Sequence, residues 1–302
     1  MRGYKNIVLL CLLLLAAVPG FAQMSKLSRV NDIYIDYQKT KDAKRLDSAK
    51  ILIDQVVSDP ETSKDFIAWT LRGYIYKDLY RTTESQNPAS PLRDESVILL
   101  KKALALDTAN KNTNKEAVIK GLKWIAASYH NDINKTLDTI RYQQSLTNAE
   151  KHKQLMKYLD PAFNEKEYDF KVYSTIGSMF QKAYEHSTTK NNLDLAKVYL
   201  FKAYDLNNNS ESINKNIGVL YYNQAVDIIK KMDYDIPLDE LPVYQDKSVK
   251  LAQQGLPYFL KAYKLNTTDK ATVEALAGIY YLLNDNEKHN EYKKILEELN
   301  KH

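Results

Sequence analysis

Five histidines, one cysteine and several paired carboxylates are the residues of this 302-residue chain that could do chemistry. The histidines are His130, His152, His186, His289 and His302. None has a second histidine or a well-placed pair of carboxylates within helical reach, and no His-Glu-x-x-His run occurs. Local sequence therefore makes no zinc site, and no metal or cofactor is expected. Gly-x-Ser-x-Gly elbows, P-loops and Gly-x-Gly-x-x-Gly turns are absent. After residue 22 no two glycines lie closer than 23 residues, so the backbone that usually builds oxyanion holes and phosphate cradles is missing. Glu297-Glu298 and Asp239-Glu240 sit in polar surroundings that suit a solvated face better than an acid–base pair. The chain does not read as an enzyme, and no catalytic residue is assigned.

The N-terminus points to export. Arg2 and Lys5 precede an unbroken apolar run of twelve residues, Ile7 to Val18, and Pro19-Gly20 breaks it before a cleavage site after Ala22. The run is too short to span a bilayer comfortably and has the order of a signal peptide. Cys11, the only cysteine, lies inside the run and follows Leu10 rather than a small residue, so it does not fit a lipidation site. Cleavage would leave a chain with no thiols, which excludes disulfides, thiolate metal sites and cysteine nucleophiles. Losing Arg2 and Lys5 lowers the formal net charge from +5 to +3. Lysine and glutamate are interspersed with no run of five like charges, so a nucleic-acid partner is not expected. No second membrane segment follows. Residues 1–22 read as a cleaved signal peptide and 23–302 as one helical repeat domain, in the periplasm, at the outer membrane of a Gram-negative bacterium, or secreted.

The elements that must position any site are helices. Of eight glycines, Gly3 and Gly20 lie in the leader, and the few turn residues that remain argue for helices and against an all-β fold. Val97, Leu100, Ala103, Leu104 and Leu106 follow the three-and-four rhythm of one helical face, as do Leu195, Val198, Tyr199, Ala203 and Leu206. Tyr292, Ile295, Leu296 and Leu299 make a third such stripe.

Each of the six later glycines is followed three positions on by an aromatic: Gly73/Tyr76, Gly121/Trp124, Gly177/Phe180, Gly218/Tyr221, Gly255/Tyr258 and Gly278/Tyr281. At 11% aromatic content each coincidence has a chance of about one in nine. Glycine inside a helix costs up to ~1 kcal/mol against alanine, so something must offset it. Close approach of a neighbouring helix, with the aromatic one turn on filling the adjacent gap, is the expected reason.

The segments KALALDT, KAYDLNN and KAYKLNT, beginning at Lys102, Lys202 and Lys261, repeat one ending. Trp69-x-x-Arg72-Gly73-x-x-Tyr76 precedes Ser96-x-x-x-Leu100-x-x-Ala103. Tyr173-x-x-Ile176-Gly177-x-x-Phe180 precedes Ala196-x-x-x-Leu200-x-x-Ala203, and Asn214-x-x-Ile217-Gly218-x-x-Tyr221 precedes Gly255-x-x-x-Phe259-x-x-Ala262. This resembles the tetratricopeptide repeat (TPR), whose second helix ends in Lys-Ala-Leu-x-Leu-Asp-Pro. Thr108, Asn208 and Thr267 stand where that proline is usual, while Asp59-Pro60 and Asp160-Pro161 keep it. The resemblance covers residues 27–302 as about six helix pairs: good over 64–107, 169–207 and 211–266, fair over 270–300, poor in the first and third. It implies an all-α, right-handed superhelix (α-solenoid) with loops inserted at 82–94 and 232–247. Around residues 124–160 a single unusually long helix is one reading.

The same resemblance assigns repeat packing to Gly73, Tyr76, Ala103, Gly177, Phe180, Ala203, Gly218, Tyr221, Ala262, Gly278 and Tyr281. It places a ligand groove on first-helix positions flanking the glycines: Thr70, Tyr74 and Lys77; Ser174, Ser178 and Gln181; Lys215, Val219 and Tyr222; Ala275, Ile279 and Leu282. Of the 23 tyrosines, Tyr74 and Tyr222 are the expected ligand contacts. Some family members grip a peptide carboxylate with Lys and Asn at two of these positions. Lys215 matches one, Val219 replaces the Asn, and the other pairs carry neither, so mixed polar and apolar contacts are expected instead.

The expected function is a non-catalytic protein-interaction scaffold of the bacterial envelope, holding a partner's peptide segment on the concave first-helix face. One alternative is an α/α-framework enzyme, or a carbohydrate- or small-ligand-binding protein, with a site assembled from distant residues or the two inserts. Another is a permanent subunit of an envelope secretion or assembly complex.

Overall fold

Short polar side chains start the helices of this protein. In the computed structural model, which describes residues 23–107, 114–230, 232, 237 and 239–301, seven helices begin on an Asp, Asn, Ser or Thr that accepts a backbone N–H from the first turn. These caps are Asp42, Asp65, Ser90, Asn164, Thr189, Asp269 and Asp285, each worth roughly 1 kcal/mol against alanine. The signal peptide read over 1–22, Thr108, and residues 233–236 and 238 of the second insert lie outside the described residues.

The described residues hold twelve α-helices and no strand. They are α1 (Gln23–Thr40), α2 (Ala43–Ser58), α3 (Phe66–Leu79), α4 (Pro91–Leu106), α5 (Lys115–Lys135), α6 (Tyr142–Leu159), α7 (Glu165–Ser187), α8 (Lys190–Leu206), α9 (Glu211–Lys230), α10 (Leu241–Leu265), α11 (Lys270–Leu282) and α12 (Asn286–Asn300). The all-α expectation holds, and the pairs α3/α4, α7/α8, α9/α10 and α11/α12 fall where the repeats were read. In place of one long helix near 124–160, α5 and α6 are separate, with the break at 136–141.

The helices gather into two compact units: residues up to Thr136 with Gln143–Phe163, and Leu137–Tyr142 with Asn164 onward. Inside each unit the helices pack as stacked hairpins. Paired helices lie together, second helices touch the next first helix (α2 with α3, α4 with α5, α8 with α9, α10 with α11), and first helices touch each other (α1 with α3, α3 with α5, α7 with α9, α9 with α11).

Small residues make this stacking possible. A Cβ added to Gly73 would run into Leu100 of α4, with its Cγ at 2.6 Å; one on Gly177 would lie 2.9 Å from the Leu200 backbone nitrogen of α8; and one on Gly218 would lie 2.7 Å from the Phe259 ring of α10. The second helix reciprocates with its own small residue. Ser96 donates its hydroxyl to the Gly73 carbonyl at 2.8 Å, and a Cβ on Gly255 would already be 3.2 Å from the Gly218 carbonyl. Ala103, Ala203 and Ala262 are all fully buried.

The shared Asp/Asn endings are C-caps. The Asn207 and Asn266 backbone N–H groups close on Ala203 and Ala262 carbonyls at 3.0 and 2.9 Å, and their side-chain oxygens accept from Asn209 and Thr268 N–H groups. Helix is stopped and turn begun by one residue. Three tighter hairpin turns carry a left-handed residue instead: Lys41 (φ 60°), Thr188 (φ 47°) and Asn284 (φ 58°).

Two stability outcomes follow. Alanine at Gly177 gains up to ~1 kcal/mol in helix propensity, but the added Cβ meets backbone that no rotamer change relieves, so Gly177→Ala lowers stability by about 1–3 kcal/mol in urea melts. Thr188→Asn raises it by about 0.5–1 kcal/mol, because a β-branched residue is strained at positive φ and Asn tolerates it. A stabilised Gly177→Ala, or a destabilised Thr188→Asn, contradicts the packing and turn geometry described.

Candidate interaction surface

The residues expected to line a groove are largely drawn into contacts between neighbouring first helices. On α3, Thr70 is buried and donates to the Phe66 carbonyl at 2.8 Å. Tyr74 reaches α5, donating to the Ala117 carbonyl at 2.6 Å, with its ring tip where a Gly121 Cβ would be 3.2 Å away. Burial first, and then the nearby Asp78 charge, pushes the Tyr74 hydroxyl up to about 12. Lys77 is buried and pairs with Asp78 at 2.8 Å, while its ammonium sits 5.0 and 5.1 Å from the rings of Tyr74 and Trp124.

In the second unit, Ser174 bonds back to Phe170 and Ser178 accepts from Asn216 of α9 at 2.9 Å. Gln181 is buried and donates to Glu185 at 3.4 Å, and Asn223 bonds Glu185 seven residues along from Asn216. These pairs zip α7 to α9. Lys215 bridges α9 to α11 through Asp269 at 3.3 Å. Val219 and Tyr222 pack on the core around α10–α12, and the Tyr222 hydroxyl would meet any Cβ on Gly278. Tyr74 and Tyr222 thus do the same work in the two units: each fills the space beneath a glycine on the next first helix.

Ala275 and Ile279 are buried core residues and Leu282 packs partly on that core, so this trio faces inward. The cause is register. Gly73, Gly177 and Gly218 face their own second helix, whereas Gly278 faces the tyrosine of the preceding first helix. The aromatic three residues on follows the same division. Tyr76 and Phe180 are buried and Tyr221 is half-buried, stacked on Tyr258 at 6.3 Å. Tyr281 is 67% exposed and Trp124 is 39% exposed. Tyr281, read as a packing residue, is instead a surface residue whose ring lies 5.4 Å from that of His289.

Two buried polar clusters had no local signal. Asp78 of α3 accepts from Tyr34 and Gln38 of α1, at 2.8 and 2.5 Å, and from Lys77. Burial works to raise its carboxyl, but Lys77 and Arg81 outweigh that and hold it below the usual carboxylate range. The other cluster surrounds Arg93, which is 0% exposed. Its guanidinium donates to Asp132 of α5 at 2.6 Å, Asn148 of α6 at 2.9 Å, Tyr80 at 3.1 Å and the Pro88 carbonyl at 2.7 Å. The insert read over 82–94 is therefore no projecting loop. It runs from a π-helical turn at Tyr80–Glu84 into α4, and Arg93 ties it to α5 and α6.

The fold also joins two histidines that sequence kept apart, His130 on α5 and His152 on α6, with ring centres 5.4 Å apart. Among the described residues no group of three or more His, Cys, Asp and Glu side chains is placed to hold a metal ion, and no described helix is long and apolar enough to cross a membrane.

No protein-family model and no curated protein matches this sequence. Solved structures with a similar course include YrrB, a TPR protein with an unusual peptide-binding site, at 13% identity over 82% of this chain and 91% of that one, TM-score 0.31. Another is PilW, a type IV pilus biogenesis factor, at 14% identity over 92% and 93%, TM-score 0.30. A monomeric IFIT1 mutant with Gppp-AAAA aligns at 15% identity over 91% of this chain, TM-score 0.35, and the chain spans 50% of its length. At such scores the likenesses carry no argument, and the fold rests on the packing described above.

Burial, followed by the His130 charge, lowers the His152 imidazole to about 4, against about 6.5 in an unfolded chain. Between those values the unfolded chain binds more protons, so stability falls as pH drops from about 6.5 to 4. His152→Gln flattens that part of a Tm-against-pH curve and leaves the limb below it, which belongs to carboxylates such as Asp54 and Asp78. An unchanged slope between 6.5 and 4 in the variant contradicts the assignment.

Proposed function

We propose that this chain is a non-catalytic scaffold that binds a segment of a partner protein along the first-helix face of its stacked hairpins, working in the bacterial envelope after export. The observation that supports it best is the side-by-side contact of first helices within each unit, α1–α3–α5 and α7–α9–α11. Helices laid parallel in this way offer a surface along which an extended or helical segment can make many contacts at once. The envelope location rests on the leader read over residues 1–22.

The packing narrows where such a segment can touch. Ala275 and Ile279 are buried, and Tyr74 and Tyr222 are committed to the next first helix. Within the second unit the part-exposed positions Ser174, Ser178, Lys215 and Val219 remain open to a partner, and within the first unit exposed Trp124 does.

Cross-linking in cells followed by mass spectrometry tests the reading. A photo-reactive residue at Trp124 or Ser174 is expected to capture one recurring protein, and the same residue at Lys294 on α12 is not. Recovery of the same protein by stringent purification without irradiation identifies a permanent subunit of a complex. Recovery of only a small molecule, with no protein above background, replaces the scaffold with a binding protein or enzyme.

A further inference from the structure

Aromatic rings gather between two neighbouring second helices of the second unit. Helix α9 touches both α8 and α10, so those two flank a groove whose floor is α9. Phe201 and Tyr204 come from α8 and Tyr258 from α10, with ring centres 5.6–6.4 Å apart and planes at 69–79° to one another. Tyr221 of α9 stacks on Tyr258 at 6.3 Å. All four rings are half-buried.

Their hydroxyls are not spent on the fold. Among the described residues none hydrogen-bonds the hydroxyls of Tyr204, Tyr221 or Tyr258, and none of the three is a buried orphan, so water reaches them. Burial pushes the Tyr258 hydroxyl up, and Tyr221 and Tyr204 add to that shift, so it keeps its proton and can donate. Lys261 lays its ammonium 5.4 Å from the centre of the Tyr204 ring. Leu265, seven residues beyond Tyr258 on the same face of α10, is 46% exposed.

Rings set nearly at right angles leave notches rather than a flat platform, and a notch suits a compact apolar group such as a pyrrolidine ring. A sugar would need an open flat face, but the near-parallel pair, Tyr221 and Tyr258, is stacked on itself. The free phenols call for acceptors. A polyproline II segment presents backbone carbonyls that have no internal partner, and proline brings no N–H for the rings to leave unmet. Spacing agrees as well. Seven residues of α10 carry Tyr258 to Leu265, about 10 Å along the axis, close to the ~9 Å turn of polyproline II.

We propose that the groove between α8 and α10 binds a proline-rich segment of a partner protein in the polyproline II conformation, with prolines in the notches and carbonyls on the phenol hydroxyls. Aromatic-lined grooves recognise such segments because the ligand is already ordered before it binds. The site lies on second helices, so it goes beyond the first-helix reading and does not depend on it.

The probe is a fluorescein-labelled decaproline amide, and its control alternates Gly with Ser over the same length. In anisotropy titrations with the full chain, decaproline is expected to bind about ten-fold tighter than the control. Raising salt should leave that gap in place, because no ion pair carries it. Tyr204→Phe combined with Tyr258→Phe keeps the rings, removes two donors and should weaken decaproline about five-fold. Tyr204→Ala with Tyr258→Ala should erase the gap, whereas Tyr281→Ala, at an exposed ring of α11, should leave it unchanged. Circular dichroism establishes that each variant is folded, and the Phe pair decides the matter if the Ala pair unfolds. Equal binding of the control overturns proline selection. Unaltered decaproline binding in the Phe pair, or a gap that survives in a folded Ala pair, overturns the site. Binding of neither peptide overturns the proposal, as does a tetramer of N-acetylglucosamine that binds where decaproline does not. None of these outcomes bears on the first-helix face, which the cross-linking at Trp124 and Ser174 judges by itself.

Discussion

Everything in this fold depends on how closely two helices can lie. At Gly73, Gly177 and Gly218 a first helix comes so near its partner that even a methyl group would collide with Leu100, Leu200 or Phe259. Helices normally pack 8–10 Å apart, the distance being set by the side chains between them. Removing the side chain on one helix lets the large residue of the other fill the gap, and the buried leucine or phenylalanine then contributes its full apolar area. The glycine's lost helix propensity, up to ~1 kcal/mol, is small beside roughly 1.5–3 kcal/mol for fully burying such a side chain. The hairpin is thus the unit of stability, and hairpins stack because each leaves a face that only another hairpin covers.

Polar groups then decide how particular helices are joined. Asp78 gathers α1 onto α3, and Arg93 gathers α5 and α6 onto α4. Both terminal nitrogens of the buried Arg93 guanidinium are bonded, while its Nε has no partner, and removing one partner of such a buried pair generally costs about 3–5 kcal/mol. Arg93 therefore does for the irregular α5–α6 region what small residues do for the regular hairpins. In the second unit the Ser178–Asn216 bond, at half-exposed positions, and the exposed Glu185–Asn223 bond, seven residues apart on both helices, perform the same joining between α7 and α9.

The division between what the sequence revealed and what it hid follows from these two kinds of contact. Local periodicity exposed the helices and their pairing, because the small-large-small spacing of Ala196, Leu200 and Ala203 lies within eight residues. The Asp/Asn endings were legible for the same reason. A glycine followed by an aromatic three positions on proved to cover two geometries: Gly177 with Phe180 faces its own hairpin, Gly278 with Tyr281 faces the one before. Nothing local separates them, so Ala275 and Ile279 were assigned to a groove while they lie in the core, and Tyr281 was assigned to packing while it lies at the surface. Arg93 and Asn148 are 55 residues apart, and the pairing of His130 with His152 likewise needs the fold. Lys77 was singled out from its position beside Gly73, but the Asp78 cluster that gives it meaning joins elements some 40 residues apart.

A double-mutant cycle at Gly218 and Phe259 reads the close approach most directly, since the three atoms nearest a Gly218 Cβ belong to the Phe259 ring. Gly218→Ala, Phe259→Ala and the double variant are unfolded in urea and their stabilities compared. The account predicts that the added methyl is harmful beside Phe259 and is accommodated once the ring is gone, giving a coupling above about 1 kcal/mol. Effects that add within about 0.5 kcal/mol would contradict it, because non-contacting sites behave that way.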